Sequence, residues 1–130
     1  NRFWEIWPGK WMTTIRQRIS DERLADVLCS AYEVGSNYWA RQSDGKKSPY
    51  RFAALSGGVL QFVPDFAVEI TDVEDGEKKY PLTLARLRHG LQVMATKYPR
   101  HFADILAEND DATTGDVLLQ CAIFGELVYG

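Results

Sequence analysis

The stretch from Val117 to Val128 constrains the fold more than any other part of the sequence. Nearly all of its residues are apolar, and only Gln120, Gly125 and Glu126 interrupt it. It is shorter than the roughly 20 residues needed to cross a bilayer, so it predicts a buried helix and no membrane span. A helix that is apolar on every side is buried on every side or contacts another copy. We therefore expect the helix from Thr114 to Tyr129 to be a contact between copies, or else the central helix of the domain.

The polar residues in and before this helix have two interpretations. Thr113 and Asp116 resemble a capping box, although an aspartate replaces the usual glutamate or glutamine. A buried Asp116 could instead have a raised pKa and act as a general acid. No nucleophile and base accompany it in the sequence, and no glycine-rich phosphate loop occurs. We expect Asp116 to cap the helix, Gln120 to bond the backbone, and the protein to lack a catalytic site.

The remaining patterns predict an α+β fold, in which a small antiparallel sheet of three or four strands packs against three or four helices. Period-two alternation predicts strands, and apolar residues three and four apart predict helices. Asp75-Gly76 is a hairpin dipeptide. The predicted elements are a strand over Thr13–Ile19, a helix over Asp21–Val34 capped by Ser20, a loop over Gln42–Pro49, a strand over Val59–Val63, a hairpin over Phe66–Leu82, a helix capped by Thr83 and a shorter helix beginning at Pro99.

Length and charge predict one domain over residues 12–130, preceded by a tryptophan-rich extension over residues 1–11. The chain has 130 residues and a formal net charge of −3, which argues against wholesale binding of DNA or of an anionic membrane. The extension contains Trp4, Trp7 and Trp11, which recur at helical spacing, although Pro8 opposes a continuous helix. Such aromatic side chains predict that the segment packs on the fold itself or on a neighbouring molecule. We expect a homo-oligomer joined by this segment or by the last helix.

Metal-binding patterns are absent from the sequence. The acidic residues around Asp75 lack the ligand spacing of an EF-hand and predict a solvated hairpin tip. His89 and His101 have no recognised ligand spacing, and Cys29 and Cys121 are expected to be small buried apolar residues. We predict no metal and no cofactor.

A possible nucleic-acid surface is equally well explained as a solvated edge and loop. Its basic residues would converge only if the first strand and the polar loop were adjacent. They are Arg16, Arg18, Lys46, Lys47 and Arg51.

Five residues near the end of the first helix are the candidate ligand- or partner-binding site: Glu33, Asn37, Tyr38, Trp39 and Arg41. Glu33, Asn37 and Arg41 would share one face if the helix continued, since they are spaced four apart. The aromatic pair could stack on a base or a ring. The favoured alternative is that Tyr38 and Trp39 cover the sheet as core residues while Glu33 pairs with Arg41 or caps a loop, because aromatic residues beside an apolar stripe are usually core.

Several segments together resemble a group of small proteins of tailed bacteriophages and prophages, over about Thr13 to Gly130. The segments are Ile19–Asp26, Gly35–Trp39, Tyr98–Phe102, Asn109–Asp116 and Phe124–Gly130. The resemblance implies a phage or prophage origin and a location in the cytoplasm of a bacterial host, but it supplies no activity. We therefore expect a non-enzymatic accessory protein that binds a host macromolecule, most simply a protein. The alternative is a protein that binds a small ligand or a nucleotide, for example to sequester a defence signal.

Overall fold

The structure, a computed structural model, describes residues 3–6, 17–43, 48–53 and 59–130. These residues confirm the predicted α+β fold, because four α-helices pack with a three-stranded antiparallel sheet and two two-stranded ribbons. The strands are β1 (Phe3–Ile6), β2 (Gln17–Ser20), β3 (Ala40–Gln42), β4 (Tyr50–Ala53), β5 (Val59–Phe62), β6 (Ala67–Asp72) and β7 (Lys78–Thr83). The helices are α1 (Asp21–Ser30), a π-helical turn (Ala31–Gly35), α2 (Leu84–Lys97), α3 (Pro99–Leu106) and α4 (Ala112–Phe124).

The three-stranded sheet has β6 at its centre, with β3 and β7 as its antiparallel neighbours. Val68 and Ile70 are buried on one face of β6, while Ala67 and Glu69 on the other face are exposed. This alternation is the period-two signal that predicted the hairpin. The hairpin turn needs two successive residues with positive φ, Gly76 at 61° and Glu77 at 57°.

The two ribbons pair β1 with β2 and β4 with β5, both antiparallel. The predicted first strand begins only at Gln17 in the described residues, because Thr13–Arg16 lie outside them. Trp4 lies in β1 opposite Ile19, so the chain around it is a strand and not the helix that the tryptophan spacing indicated. Trp7 and Trp11 lie outside the described residues.

The last helix, α4, is the central helix of the fold. It packs against α1, α2, α3, the π-helical turn and β7, and every residue from Thr114 to Ile123 is buried. Two glycines permit this close packing. A Cβ on Gly90 would lie 2.6 Å from the backbone N of Ala122, and one on Gly115 would lie 2.6 Å from that of Ala31. Of the two alternatives for this helix, the structure supports the central helix, because the chain itself covers the side chains from Thr114 to Ile123.

Both ends of α4 differ from the prediction. The helix ends at Phe124 instead of Tyr129, because Gly125 adopts the left-handed conformation (φ 74°) that commonly ends helices. The capping box belongs to Asp111 and Thr114, not to Thr113 and Asp116. Asp111 accepts a hydrogen bond from the Thr114 backbone N–H at 3.0 Å, and Thr114 Oγ1 accepts one from the Asp111 N–H at 3.1 Å.

The predicted caps of the other long helices are confirmed. Ser20 Oγ accepts from the Arg23 N–H at 3.1 Å, and Thr83 Oγ1 accepts from the Arg86 N–H at 3.2 Å. No helix among the residues that the structure describes has the length and apolar character needed to cross a bilayer.

Candidate functional site

The first helix does not continue through the predicted site. Ser36 donates its backbone N–H to the Ala31 carbonyl at 2.9 Å, so the helix widens into a π-helical turn and ends at Gly35. Single π-helical turns occur frequently at functional sites. Here the wider turn lets Gly35 pack against the start of α4, where an added Cβ would lie 2.0 Å from the Ala112 carbonyl oxygen.

Three of the five predicted site residues remain together on the surface. Asn37 donates its side-chain N–H to the Glu33 carbonyl at 2.8 Å, and Arg41 donates its guanidinium to the carbonyls of Asn37 and Ala40. Glu33, Asn37 and Arg41 are exposed. The helix ends at Gly35, so these three residues do not share one helical face as predicted. They are connected instead through hydrogen bonds to backbone carbonyls.

The two aromatic residues separate. Tyr38 is half exposed, whereas Trp39 is completely buried. The Trp39 ring stacks on Tyr129 with a centroid distance of 5.6 Å and lies against Phe124 at 5.2 Å. Trp39 therefore belongs to the core and does not offer a face on which a base could stack.

Asp116 organises this region from inside the fold. Its side chain is buried, and four side chains donate hydrogen bonds to it. Ser36 Oγ and Trp39 Nε1 each lie 2.7 Å from Oδ1, while Tyr38 OH lies 2.7 Å and Gln120 Nε2 3.0 Å from Oδ2. A buried carboxylate is costly unless it is hydrogen-bonded, and these four donors meet that requirement. The prediction that Asp116 caps α4 is wrong; it fixes the turn from Ser36 to Trp39 onto α4.

Gln120 extends the same network to the last residues of the chain. Its Oε1 accepts the backbone N–H groups of Val128 and Tyr129, both at 2.8 Å, and its Nε2 donates to the Tyr129 carbonyl at 3.2 Å. The prediction that Gln120 bonds a backbone group is confirmed. Tyr129 in turn donates its hydroxyl to Asp72 Oδ2 at 2.8 Å, which joins this segment to the end of β6.

The two tyrosines that donate to carboxylates are hard to deprotonate. Burial, together with the hydrogen bond to Asp116, raises the pKa of Tyr38 to about 12. The hydrogen bond to Asp72 raises the pKa of Tyr129 to about 12 as well. Both hydroxyls therefore remain donors throughout the neutral range.

Four of the five large apolar residues with exposed side chains in the described ranges belong to this network or lie within two positions of one of its members in the chain. Val34, Tyr38, Val73 and Val128 form what we call the valine–tyrosine surface. Val73 donates its backbone N–H to the Trp39 carbonyl at 2.8 Å, and Val128 and Tyr38 both contact the Gln120 amide. The Val34 carbonyl accepts from the Asn37 N–H at 3.3 Å, in the turn that leads to Tyr38.

A small cavity of about 170 Å³ lies between the π-helical turn, the turn that follows it, and β3. Its polar rim includes Asn37, Arg41, Ser36, Tyr32 and Gln42, and the Tyr32 hydroxyl donates to Gln42 Oε1 at 2.7 Å. Its floor consists of core residues of α4 and β6, Leu119 and Ile70. The cavity is large enough for a single heterocyclic ring and too small for a drug-sized ligand.

The other candidate residues do not gather into a site. No group of three or more His, Cys, Asp and Glu residues in the described ranges is placed to hold a metal ion. Cys121 is buried as predicted, and burial raises the pKa of its thiol, whereas Cys29 is partly exposed. Of the basic residues, Arg18 lies in β2 and Arg51 in β4, and Arg16, Lys46 and Lys47 lie outside the described residues.

Comparison of the chain with protein-family models, curated proteins and solved structures finds no match.

Proposed function

We propose that this chain is a non-enzymatic accessory protein that binds another protein through the valine–tyrosine surface. The observation that carries the proposal is that four exposed apolar residues belong to one buried hydrogen-bond network or adjoin it in the chain. Exposed apolar side chains that cluster commonly mark protein-binding surfaces, and tyrosine is enriched in them.

The surface is preorganised by hydrogen bonds from buried groups. Tyr38 is tied to Asp116, Val128 to Gln120, and Val73 to the backbone of Trp39. Binding to a surface that is already ordered costs less conformational entropy, so a modest apolar area supports useful affinity.

The polar rim suggests the chemistry of the partner. Exposed Glu33 and Arg41 lie beside the apolar side chains and carry opposite charges. A partner with an apolar centre and a mixed-charge rim complements this arrangement better than a nucleic-acid backbone does. The resemblance to phage and prophage proteins supports a partner from a bacterial host, and with it a location in the host cytoplasm.

Quantitative capture from bacterial lysate tests this function with a matched pair of variants. Val128→Asp adds a carboxylate to the valine–tyrosine surface, whereas Leu106→Asp adds one to α3 at a comparably exposed side chain (41 %, against 52 % for Val128). We expect Val128→Asp to lose a protein that the wild type and Leu106→Asp both retain. Identical protein sets from all three chains would refute the proposal.

The small cavity supports a second candidate function, in which the protein binds a nucleobase-sized ligand. Asn37 and Arg41 supply hydrogen-bond donors at its rim. A ligand that binds only the folded state raises its melting temperature. A rise of several degrees with one nucleotide, lost in Asn37→Ala, would favour this function over protein binding.

We also propose that copies of the chain associate through the tryptophan-rich segment, since α4 is covered within the chain. Trp7→Ser with Trp11→Ser leaves the residues of β1 unchanged. Light scattering should show a mass above that of the monomer for the wild type and the monomer mass for the double variant. A monomeric wild type would exclude this association.

A further inference from the structure

A second cavity of the described structure has a lining that shares no residue with the valine–tyrosine surface. It has a volume of about 680 Å³ and lies between the start of α1, the segment from β5 to β6, and the start of α2. We call it the phenylalanine cavity. Its lining combines the aromatic rings of Phe62 and Phe66 with the charged side chains of Asp21, Glu22, Asp65 and Arg88. Its volume is within the range of sites that hold small organic ligands.

One wall of this cavity is aromatic. The rings of Phe62 and Phe66 are stacked with their centroids 5.1 Å apart and an interplanar angle of 23°. Phe66 is buried by the protein, which fixes the pair, while Phe62 is half-buried. Aromatic faces of this kind bind apolar groups and attract organic cations.

The charges of the lining favour a cation. Arg88 is committed to Asp21, with its Nη2 3.1 Å from Asp21 Oδ2. Among the described lining residues, Glu22 and Asp65 then leave two negative charges. The starts of α1 and α2 offset about half a charge each, so the lining remains negative.

We propose that the phenylalanine cavity binds a small organic cation that carries an apolar or aromatic body. The apolar body would pack on the Phe62–Phe66 wall, and the ammonium group would face Glu22 and Asp65. This site is independent of the proposed protein-binding function, because it uses none of the same residues.

Three indole compounds of similar size test the charge preference by isothermal titration calorimetry. Tryptamine is a cation, tryptophol is neutral and indole-3-propionate is an anion. We expect tryptamine to bind at least about ten-fold more tightly than tryptophol, which corresponds to about 1.4 kcal/mol, and indole-3-propionate to bind most weakly. Binding of none of the three, equal binding of the first two, or tightest binding of the anion would overturn the proposal.

Two double variants that remove the same charge test whether tryptamine binds in this cavity. Glu22→Gln with Asp65→Asn neutralises the two carboxylates of the cavity, and asparagine tolerates the left-handed backbone of Asp65 (φ 51°). Asp75→Asn with Glu77→Gln removes the same charge from the exposed hairpin turn. We expect the first double variant to bind tryptamine about ten-fold more weakly and the second to bind it as the wild type does. Equal losses in both would overturn the proposal, since they would reflect net charge alone.

Loss of the aromatic wall gives a second, independent readout. Phe62→Leu keeps an apolar side chain but removes one ring of the stacked pair. Tryptamine should bind this variant several-fold more weakly, while the circular dichroism spectrum stays that of the wild type. Unchanged tryptamine affinity in a folded Phe62→Leu protein would place the ligand elsewhere and overturn the proposal.

Discussion

The Asp116 carboxylate holds the irregular turn from Ser36 to Trp39 against α4. The turn from Ser36 to Trp39 has backbone hydrogen bonds to its neighbours, and three of its side chains also donate to this single group. Hydrogen bonds to a charged acceptor are stronger than those between neutral groups. The carboxylate therefore fixes the side chains of Tyr38 and Trp39 in opposite environments, one facing solvent and the other in the core.

Replacing Asp116 by asparagine should destabilise the protein by about 3 kcal/mol. The amide places an N–H₂ group among donors that need an acceptor, so at least one buried donor loses its partner. Urea denaturation measures the free energy of unfolding of this variant. The control is Glu126→Gln at an exposed carboxylate, which we expect to change it by less than about 0.5 kcal/mol. Similar stabilities of the two variants would contradict the structural role of Asp116.

The raised pKa values of Tyr38 and Tyr129 predict that the free energy of unfolding decreases at alkaline pH. Their pKa values are about 12 in the folded protein and 10.0 as the ordinary value, so the folded state holds these protons more tightly. For a group with a raised pKa, the stabilisation is complete below the unfolded pKa and is lost as pH rises through the folded pKa. We expect stability to fall between pH 10 and 12, and to fall less steeply in Tyr38→Phe with Tyr129→Phe. An ultraviolet titration of the wild type in which every tyrosine ionises near pH 10 would contradict this prediction.

Sequence patterns could not distinguish the roles of Tyr38 and Trp39. Both are large aromatic residues beside an apolar stripe, and both the surface and the core interpretations were open. The outcome depends on the π-helical turn, which shifts the following residues relative to a continuing helix. It also depends on Asp116, which is 77 positions away from Trp39 in the chain. A contact of that separation leaves no local signal.

At the scale of elements, the sequence predicted that α4 exists and offered its central position as one alternative, but it did not predict where the helix begins and ends. Its apolar character on every side required burial, and the structure supplies that burial from four helical elements and β7. The caps were harder to predict, because Asp111, Thr113 and Asp116 are all capping residue types within one and a half turns. Which of them caps the helix depends on where the preceding chain leaves α3.

The observed cap predicts different effects for neighbouring substitutions. Asp111→Ala removes the side-chain acceptor of the Thr114 N–H and should destabilise the protein by about 1 kcal/mol. Thr113→Ala, at an exposed position that the sequence favoured as the cap, should have almost no effect. Thermal unfolding of the two variants measures the difference. A larger loss for Thr113→Ala would restore the cap predicted from the sequence.

The hairpin and the helical caps at Ser20 and Thr83 were predictable because their signals are local. Alternation along β6, the Asp75-Gly76 dipeptide and the acidic first turn of α1 each act within a few residues. The pairing of β1 with β2 has no such signal, since ten residues separate the strands and their order depends on tertiary packing. The tryptophan spacing suggested a helix where Phe3–Ile6 form a strand.

At the scale of the whole molecule, the two proposed sites use different parts of one framework. The valine–tyrosine surface depends on contacts between α4, the π-helical turn and the end of β6, whereas the phenylalanine cavity lies at the starts of α1 and α2. A partner on the surface and a cation in the cavity can therefore bind without competing for side chains.

Whether residues 1–11 are part of the folded domain or an extension of it can be tested by deletion. The sequence predicted residues 1–11 to be an extension of a domain that begins at residue 12. In the structure, four residues of this segment form β1 and pair with β2, which leads directly into α1 through the Ser20 cap. Deletion of residues 1–11 would expose the ladder groups of β2 to water, so we expect a loss of about 1–3 kcal/mol in the free energy of unfolding. A chain beginning at Phe3 keeps β1 and should retain the wild-type stability. If urea denaturation shows equal stability for the two shortened chains, β1 contributes nothing to the fold and the segment is an extension after all.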